Sequence, residues 1–178
     1  QEDTKFGLNI TTGAAMEGIK KALEFEHIKL IGVHCHVGSQ LLDTEAHVGA
    51  IERMVSFMDE IRKETGVVLD ELNIGGGLGI RYLEEHNPPS IEEYAETICS
   101  TLKGALDKHS FPYPKLLQEP GRSIIGEAGV TLYTIGAIKE VPIAEEPGVK
   151  IYATTNGGMS DNPRPQLYDA VYTPLLAN

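Results

Sequence analysis

Residues 116–126 read LLQEPGRSIIG. A short apolar run, Leu116 and Leu117, gives way to Glu119, Pro120, Gly121 and Arg122, and a second apolar run begins at once. A carboxylate and a guanidinium at the mouth of a buried strand are costly to desolvate unless they are partnered or used. Pro120 and Gly121 fix the turn between them. On these residues alone two readings stand: a surface ion pair worth little, or a functional pair set at a strand end.

Outward from this stretch the same arrangement repeats. Ile28 to His36 reads as a strand, near-continuously apolar through Leu30, Ile31 and Val33 as a strand covered on both faces would be, and it ends in HCHVGSQ. Val67 to Ile74 is again strand-like and runs into Gly75, Gly76, Gly77, Leu78 and Gly79. Phe111 to Leu117 leads into the EPGR turn.

Helical patterns lie between. Gly13 to Glu26 shows a short one. Asp43 or Thr44 can cap a second, in which Val48, Ile51, Met54, Val55, Met58 and Ile61 repeat on one face. Arg53, Asp59, Arg62 and Lys63 lie elsewhere around it, and Gly66 stops it. Ser90 and Glu93 form a capping box for a third, whose buried side would be Ile91, Tyr94, Ala95, Ile98, Leu102 and Leu106. Alternating strands and helices predict a parallel sheet with helices outside it, and in such folds ligands bind at the carboxyl ends of strands.

After Gly126 the texture changes. Val130 to Val141 and Val149 to Thr155 are β-branched runs separated by Glu145, Glu146, Pro147 and Gly148, with no helix between. They predict an antiparallel hairpin in another layer or domain, and a boundary near Gly129.

Composition bounds the function. The 178 residues are 41% hydrophobic and 23% charged, ordinary globular values. A net charge of −11 argues against a nucleic-acid partner. No apolar run reaches membrane-spanning length, no signal-peptide pattern opens the chain, and no membrane partner is expected. Cys35 and Cys99, with neither CxxC nor zinc spacing, read as free thiols of a cytoplasmic protein. The chain opens in polar text without an initiator methionine and is expected to be an internal piece of something longer.

The strand ends carry the chemistry. Successive glycines let a backbone approach an anion and offer N–H groups to it, although a merely tight turn uses glycines too. The spacing is neither a dinucleotide fingerprint nor a Walker loop. His34 and His36 could hold a metal, stack on a cofactor or simply pack. Ser39 adds a hydroxyl suited to phosphate. Arg164 and Tyr168, four apart, share a face if helical and could hold a carboxylate.

In this order, GVHCHVGSQ, LNIGGGLG, EPGR and GGMSDNPRPQLYDA resemble the pyridoxal-phosphate decarboxylases of alanine-racemase-like fold, which act on ornithine, arginine and diaminopimelate. The HCHVGSQ wording and the M-x-D-x-x-R-P-x-L-Y block point to the diaminopimelate branch. The resemblance covers essentially the whole chain. It implies an α/β fold: the C-terminal part of a (β/α)8 pyridoxal-phosphate barrel over residues 1–129, then the start of an antiparallel β-domain over 130–178.

It also implies roles. His36 would stack on the pyridine ring, and Glu119 would face the ring nitrogen and keep it protonated. Ser39, Gly75, Gly76, Gly77, Pro120, Gly121 and Arg122 would line the cofactor. Arg122 would lie between phosphate and substrate, and Arg164 with Tyr168 would hold the far carboxylate of a small amino-acid substrate. No metal enters this scheme. The implied reaction is decarboxylation of meso-2,6-diaminopimelate to L-lysine by a homodimer with a shared active site. A decarboxylase of ornithine or arginine, or a non-catalytic relative, is the alternative.

Two family features have no match here. No lysine stands in the Tyr-Ala-x-Lys-Ala-Asn-type motif that forms the Schiff base, and neither Cys35 nor Cys99 is placed as the family's C-terminal cysteine. Roughly the last three barrel strands are represented. These residues alone are therefore expected to be inactive.

Overall fold

The computed structural model describes residues 6–144 and 147–177. Two compact units make up the chain, Gln1–Arg81 with His86–Glu127, and Tyr82–Glu85 with Ala128–Asn178. The first contains α1 (Ala14–Leu23), β1 (Gly32–His34), α2 (Glu45–Thr65), β2 (Glu71–Asn73), α3 (Ile91–His109), β3 (Lys115–Leu117) and α4 (Arg122–Ile125). The second contains β4 (Ile135–Pro142), β5 (Val149–Thr155) and α5 (Arg164–Tyr168).

Strands β1, β2 and β3 form a parallel sheet in that order. Val33 pairs with Leu72 and Leu72 with Leu116, which places His34, Asn73 and Leu117 level at the carboxyl edge. The hairpin also forms: β4 pairs antiparallel with β5, with a register shift between Ile135 and Ile138. Glu145 and Glu146 of its expected turn lie outside the described residues.

The core of the first unit is the contact of α2 and α3 with the sheet. Ile51, Val55, Met58 and Ile61 from α2, Leu72 from the middle strand with Ile74 just beyond its end, and Ile98 and Leu106 from α3 are essentially without solvent contact. Burying each such side chain contributes about 1.5–3 kcal/mol. Glycine ends α2 as expected, Gly66 taking φ 76° and donating to the Arg62 carbonyl. The Ser90–Glu93 capping box is complete: Glu93 N–H donates to Ser90 Oγ at 3.1 Å, and Ser90 N–H to Glu93 Oε2 at 2.8 Å. At the start of α2 it is Asp43 that accepts, from Glu45 N–H at 3.0 Å, whereas Thr44 makes no side-chain cap.

Three expectations need correction. The strands are shorter than their apolar runs, and the Ile28–His36 run is not covered on both faces: Ile28 and Ile31 are exposed. Its paired segment, β1, hydrogen-bonds to β2 alone and forms an edge of the three-stranded sheet. Ile91 and Ala95 do not join the core of α3. With Tyr94, Pro120, Ser123 and Ile124 they line an open cavity of about 200 Å³ behind the glycine loop, and Ala105 takes the buried place further along.

The third correction concerns Asp59, which is buried and not on an outer face of α2. Its carboxylate meets Lys63 Nζ at 2.7 Å, the Arg62 guanidinium and His109 Nδ1 at 3.0 Å. Arg62 in turn donates to the Ser110 and His109 carbonyls, where α3 ends, and covers the Phe111 ring. A cation at the carbonyl end of a helix is favourable in itself. One carboxylate thus ties the last turns of α2 and α3 together.

Lys63's hydrogen bond, then those of His109 and Arg62, hold the Asp59 carboxyl at about 2 against the opposing effect of burial. A lowered folded-state value means that this contribution is present above the unfolded pKa, near 4, and is lost as pH falls toward 2. Asp59→Asn should lower stability by about 2 kcal/mol at pH 7 and by much less near pH 2, as read from urea denaturation midpoints.

Candidate functional site

The sheet register decides what meets at the carboxyl edge. Two residues beyond the paired positions His34, Asn73 and Leu117, the chains bring His36, Gly75 and Glu119 level. The ladder continues through Cys35 N–H to the Asn73 carbonyl, Ile74 N–H to the Leu117 carbonyl and Glu119 N–H to the Gly75 carbonyl, the last at 2.8 Å. His34, His36 and Glu119 face solvent there. Cys35, between the histidines, turns to the core, and burial pushes its thiol up to about 11, which leaves it an unreactive packing residue.

The glycines are required by crowding. A Cβ on Gly75 would sit 2.8 Å from His36 Nδ1, one on Gly76 2.2 Å from the Glu119 carbonyl oxygen, and one on Gly77 2.5 Å from the Gly38 carbonyl oxygen. Gly77 also has φ 116°, which side chains other than hydrogen rarely adopt. The HVGSQ loop closes against this triplet: Leu41 N–H donates to the Gly77 carbonyl, and Gly79 N–H to that of Leu41. Gln40, itself at φ 59°, uses both ends of its amide on the Ile80 backbone. Ser39 is thereby set near the triplet, and Arg122 Nη2 donates to its hydroxyl at 3.1 Å.

Backbone accounting shows what this loop offers. Gly75 N–H donates to Asn73 Oδ1, Gly76 N–H to His36 Nδ1 at 3.3 Å, and Gly79 N–H to the Leu41 carbonyl. Among the described residues the Gly77 N–H meets no acceptor. A partly exposed amide, a hydroxyl and a guanidinium at one glycine turn have the donor chemistry of an anion site and suit a phosphate monoester. No group of three or more His, Cys, Asp or Glu that could hold a metal occurs among the described residues.

Glu119 and Arg122 do not act as the simple ion pair that their spacing allowed. Glu119 Oε1 accepts from Asn73 Nδ2 at 2.8 Å, and Oε2 lies 3.6 Å from His34 Nε2. Asn73, which the sequence reading passed over, therefore clamps the carboxylate with its amide nitrogen and the glycine loop with its amide oxygen. Its signal was a polar side chain in the register row of a buried strand. In the other unit, Arg164 and Tyr168 share a helical face on α5 as their spacing requires, with the guanidinium 5.2 Å from the Tyr168 ring centroid. Arg164 Nε is buried without a hydrogen-bond partner among the described residues. Pro120 and Gly121 form the turn into α4.

Residues 1–126 match the sequence family described as pyridoxal-dependent decarboxylase, pyridoxal binding domain. The chain belongs to this decarboxylase family. Its parallel sheet and helices are part of the family's α/β barrel. The diaminopimelate decarboxylase of Bacillus subtilis is 46% identical over all of this chain, which spans 39% of that relative's length. That of Staphylococcus aureus is 43% identical, over all of this chain and 40% of its own. The solved diaminopimelate decarboxylase of M. jannaschii, in co-complex with L-lysine, superimposes with a TM-score of 0.84 at 37% identity, covering 97% of this chain and 38% of that one. The family assignment agrees with the phosphate-suited donors, since pyridoxal phosphate presents such an ester. No described helix is long and apolar enough to cross a membrane.

Crowding at the triplet makes a direct prediction for this chain. Gly76→Ala should destabilise the first unit by about 1–3 kcal/mol, because its Cβ meets backbone that cannot swing aside. Gly121→Ala, with nothing within 4 Å of its Cβ, should stay within about 0.5 kcal/mol. Thermal unfolding of both variants checks the contrast.

Proposed function

We propose that the protein takes part in the pyridoxal-phosphate-dependent decarboxylation of meso-2,6-diaminopimelate to L-lysine. The observation that carries this reading is the meeting, at one strand-end edge, of a fixed carboxylate (Glu119 on Asn73) with a glycine turn whose donors suit a phosphate. The two features have the complementary chemistry of the two ends of one cofactor. Support for the substrate comes from the diaminopimelate decarboxylases among the relatives, one of them solved with L-lysine.

Bound pyridoxal phosphate would supply the electron sink that decarboxylation at the substrate's α-carbon requires. The chain's own residues bind and orient. Gly77 N–H, the Ser39 hydroxyl and Arg122 hold the phosphate, and Gly75, Gly76, Pro120 and Gly121 give the backbone its close approach. Glu119 faces the ring nitrogen and retains a proton there, because a neighbouring carboxylate favours the charged form of a base. Asn73 keeps that carboxylate from rotating away. His36 lies against the ring, its orientation fixed by the bond that Nδ1 accepts from Gly76 N–H.

Arg164 and Tyr168 take up the substrate's distal carboxylate. The buried Arg164 Nε is a donor for which an anion would be a partner. A homodimer with a shared site and a cytoplasmic setting belong to the same reading and rest on the family resemblance. The covalent attachment lysine is expected outside these 178 residues.

The test is carbon dioxide release by the full-length protein from meso-diaminopimelate, ornithine and arginine. Release from diaminopimelate alone is expected. Release only from ornithine or arginine moves the assignment to a sister activity, and release from none leaves a non-catalytic relative. In the active protein, Glu119→Gln should lower kcat about 100-fold or more while the cofactor stays bound. Arg164→Leu should act mainly on KM, raising it about tenfold or more, since it removes a charge-assisted contact to a non-reacting carboxylate.

A further inference from the structure

His47 stands in the first turn of α2, where neither the apolar pattern nor the proposed chemistry calls for a histidine. It is nevertheless fully buried. Its ring meets Tyr94 of α3 edge-on, with centroids 5.2 Å apart and planes at 86°. Nε2 lies 3.1 Å from the Gly76 carbonyl oxygen, and Nδ1 has no partner among the described residues. A carbonyl oxygen only accepts, so Nε2 is the ring nitrogen that carries the proton.

That bond fixes more than one atom. A trans peptide is planar, with its C=O and the following N–H pointing in opposite directions, and no cis peptide occurs among the described residues. With the Gly76 oxygen drawn onto His47, the Gly77 N–H of the same peptide is turned to the opposite side. This amide, like the Leu78 N–H beside it, meets no acceptor among the described residues. The neighbouring peptide is held independently, since Gly76 N–H donates to His36 Nδ1. Gly76 is thus gripped by two histidines in opposite roles, one accepting and one donating. A glycine with free φ and ψ has little else to choose its peptide plane.

We infer that His47 is a positioning residue for the phosphate end of the site: by holding the Gly76 carbonyl inward from α2, it directs the Gly77 N–H at the bound phosphate. The inference rests on the cofactor reading proposed above and deepens it. His47 touches neither cofactor nor substrate. Its effect falls on phosphate affinity and leaves contacts to the pyridine ring unchanged.

The experiment measures dissociation constants of the full-length protein for pyridoxal phosphate and for pyridoxal, which lacks the phosphate, by calorimetry. His47→Phe keeps a flat ring against Tyr94 and removes the donor. His47→Gln keeps a donor at the position of Nε2. His47→Phe should weaken pyridoxal phosphate roughly tenfold and leave pyridoxal within about twofold, the loss expected for one backbone-orienting hydrogen bond. His47→Gln should recover most of the affinity. Equal losses for both ligands, or none for either, overturn the role of His47.

A wild type that does not prefer pyridoxal phosphate over pyridoxal overturns the phosphate-site reading itself, a separate failure. Should His47→Phe not fold, long-range 1H–15N correlation on the wild type decides. A proton on Nε2 and a shift of the Gly77 amide on adding inorganic phosphate are expected. A proton on Nδ1, or an indifferent Gly77 amide, overturns the proposal.

Discussion

In a parallel ladder every strand reaches the same edge with its carboxyl end, so the loops that leave the sheet are forced into one neighbourhood. Here the register of β1, β2 and β3 sets His34 beside Asn73 and Asn73 beside Leu117. The polar strand ends at this edge follow from those pairings. His36, the glycine triplet and Glu119 come from segments some forty residues apart in sequence, and they meet because Leu72 is locked between Val33 and Leu116. The helical layer fixes that sheet from one face through Ile51, Met58, Ile98 and Leu106.

The same edge has to satisfy backbone that can no longer pair as a sheet. Side chains do so: Asn73 for Gly75, His36 and His47 for Gly76, and Gln40 for Ile80. Each of these bonds completes the protein's own accounting of buried polar groups, and in doing so holds a loop in one shape. Stability and site geometry are the same interactions here. The Gly77 amide is left over from this accounting: among the described residues it meets no acceptor.

Much of this was legible in the sequence. The helix periodicity of α2, the capping box at Ser90 and the β-branched hairpin are local signals, and each reappears where its residues are. The motif order identified the family and the residues to watch. What could not be read is long-range. Asp59 and His47 look like outward residues of α2 until His109, some fifty residues later, and the Gly76 carbonyl arrive to partner them. Asn73 is unremarkable in LNIGGG until a strand further on supplies Glu119. Ile91 and Ala95 satisfy the helical pattern, yet the sheet ends before it reaches their turn, and they border a cavity instead.

The closure of the HVGSQ loop on the glycine turn also bears on how such a chain can change length over evolutionary time. Leu41 is paired on both sides, to Gly77 and Gly79, and Gln40 spans the Ile80 backbone like an added residue of strand. An inserted or deleted residue in either loop would slip this seam by one step and carry Ser39 away from Arg122. Among the described residues, the stretch around Asn87, Pro88 and Pro89, ahead of the Ser90 cap, takes part in no strand pairing. An added residue is therefore costlier in either loop at the site, where it breaks these pairings, than in the linker ahead of α3.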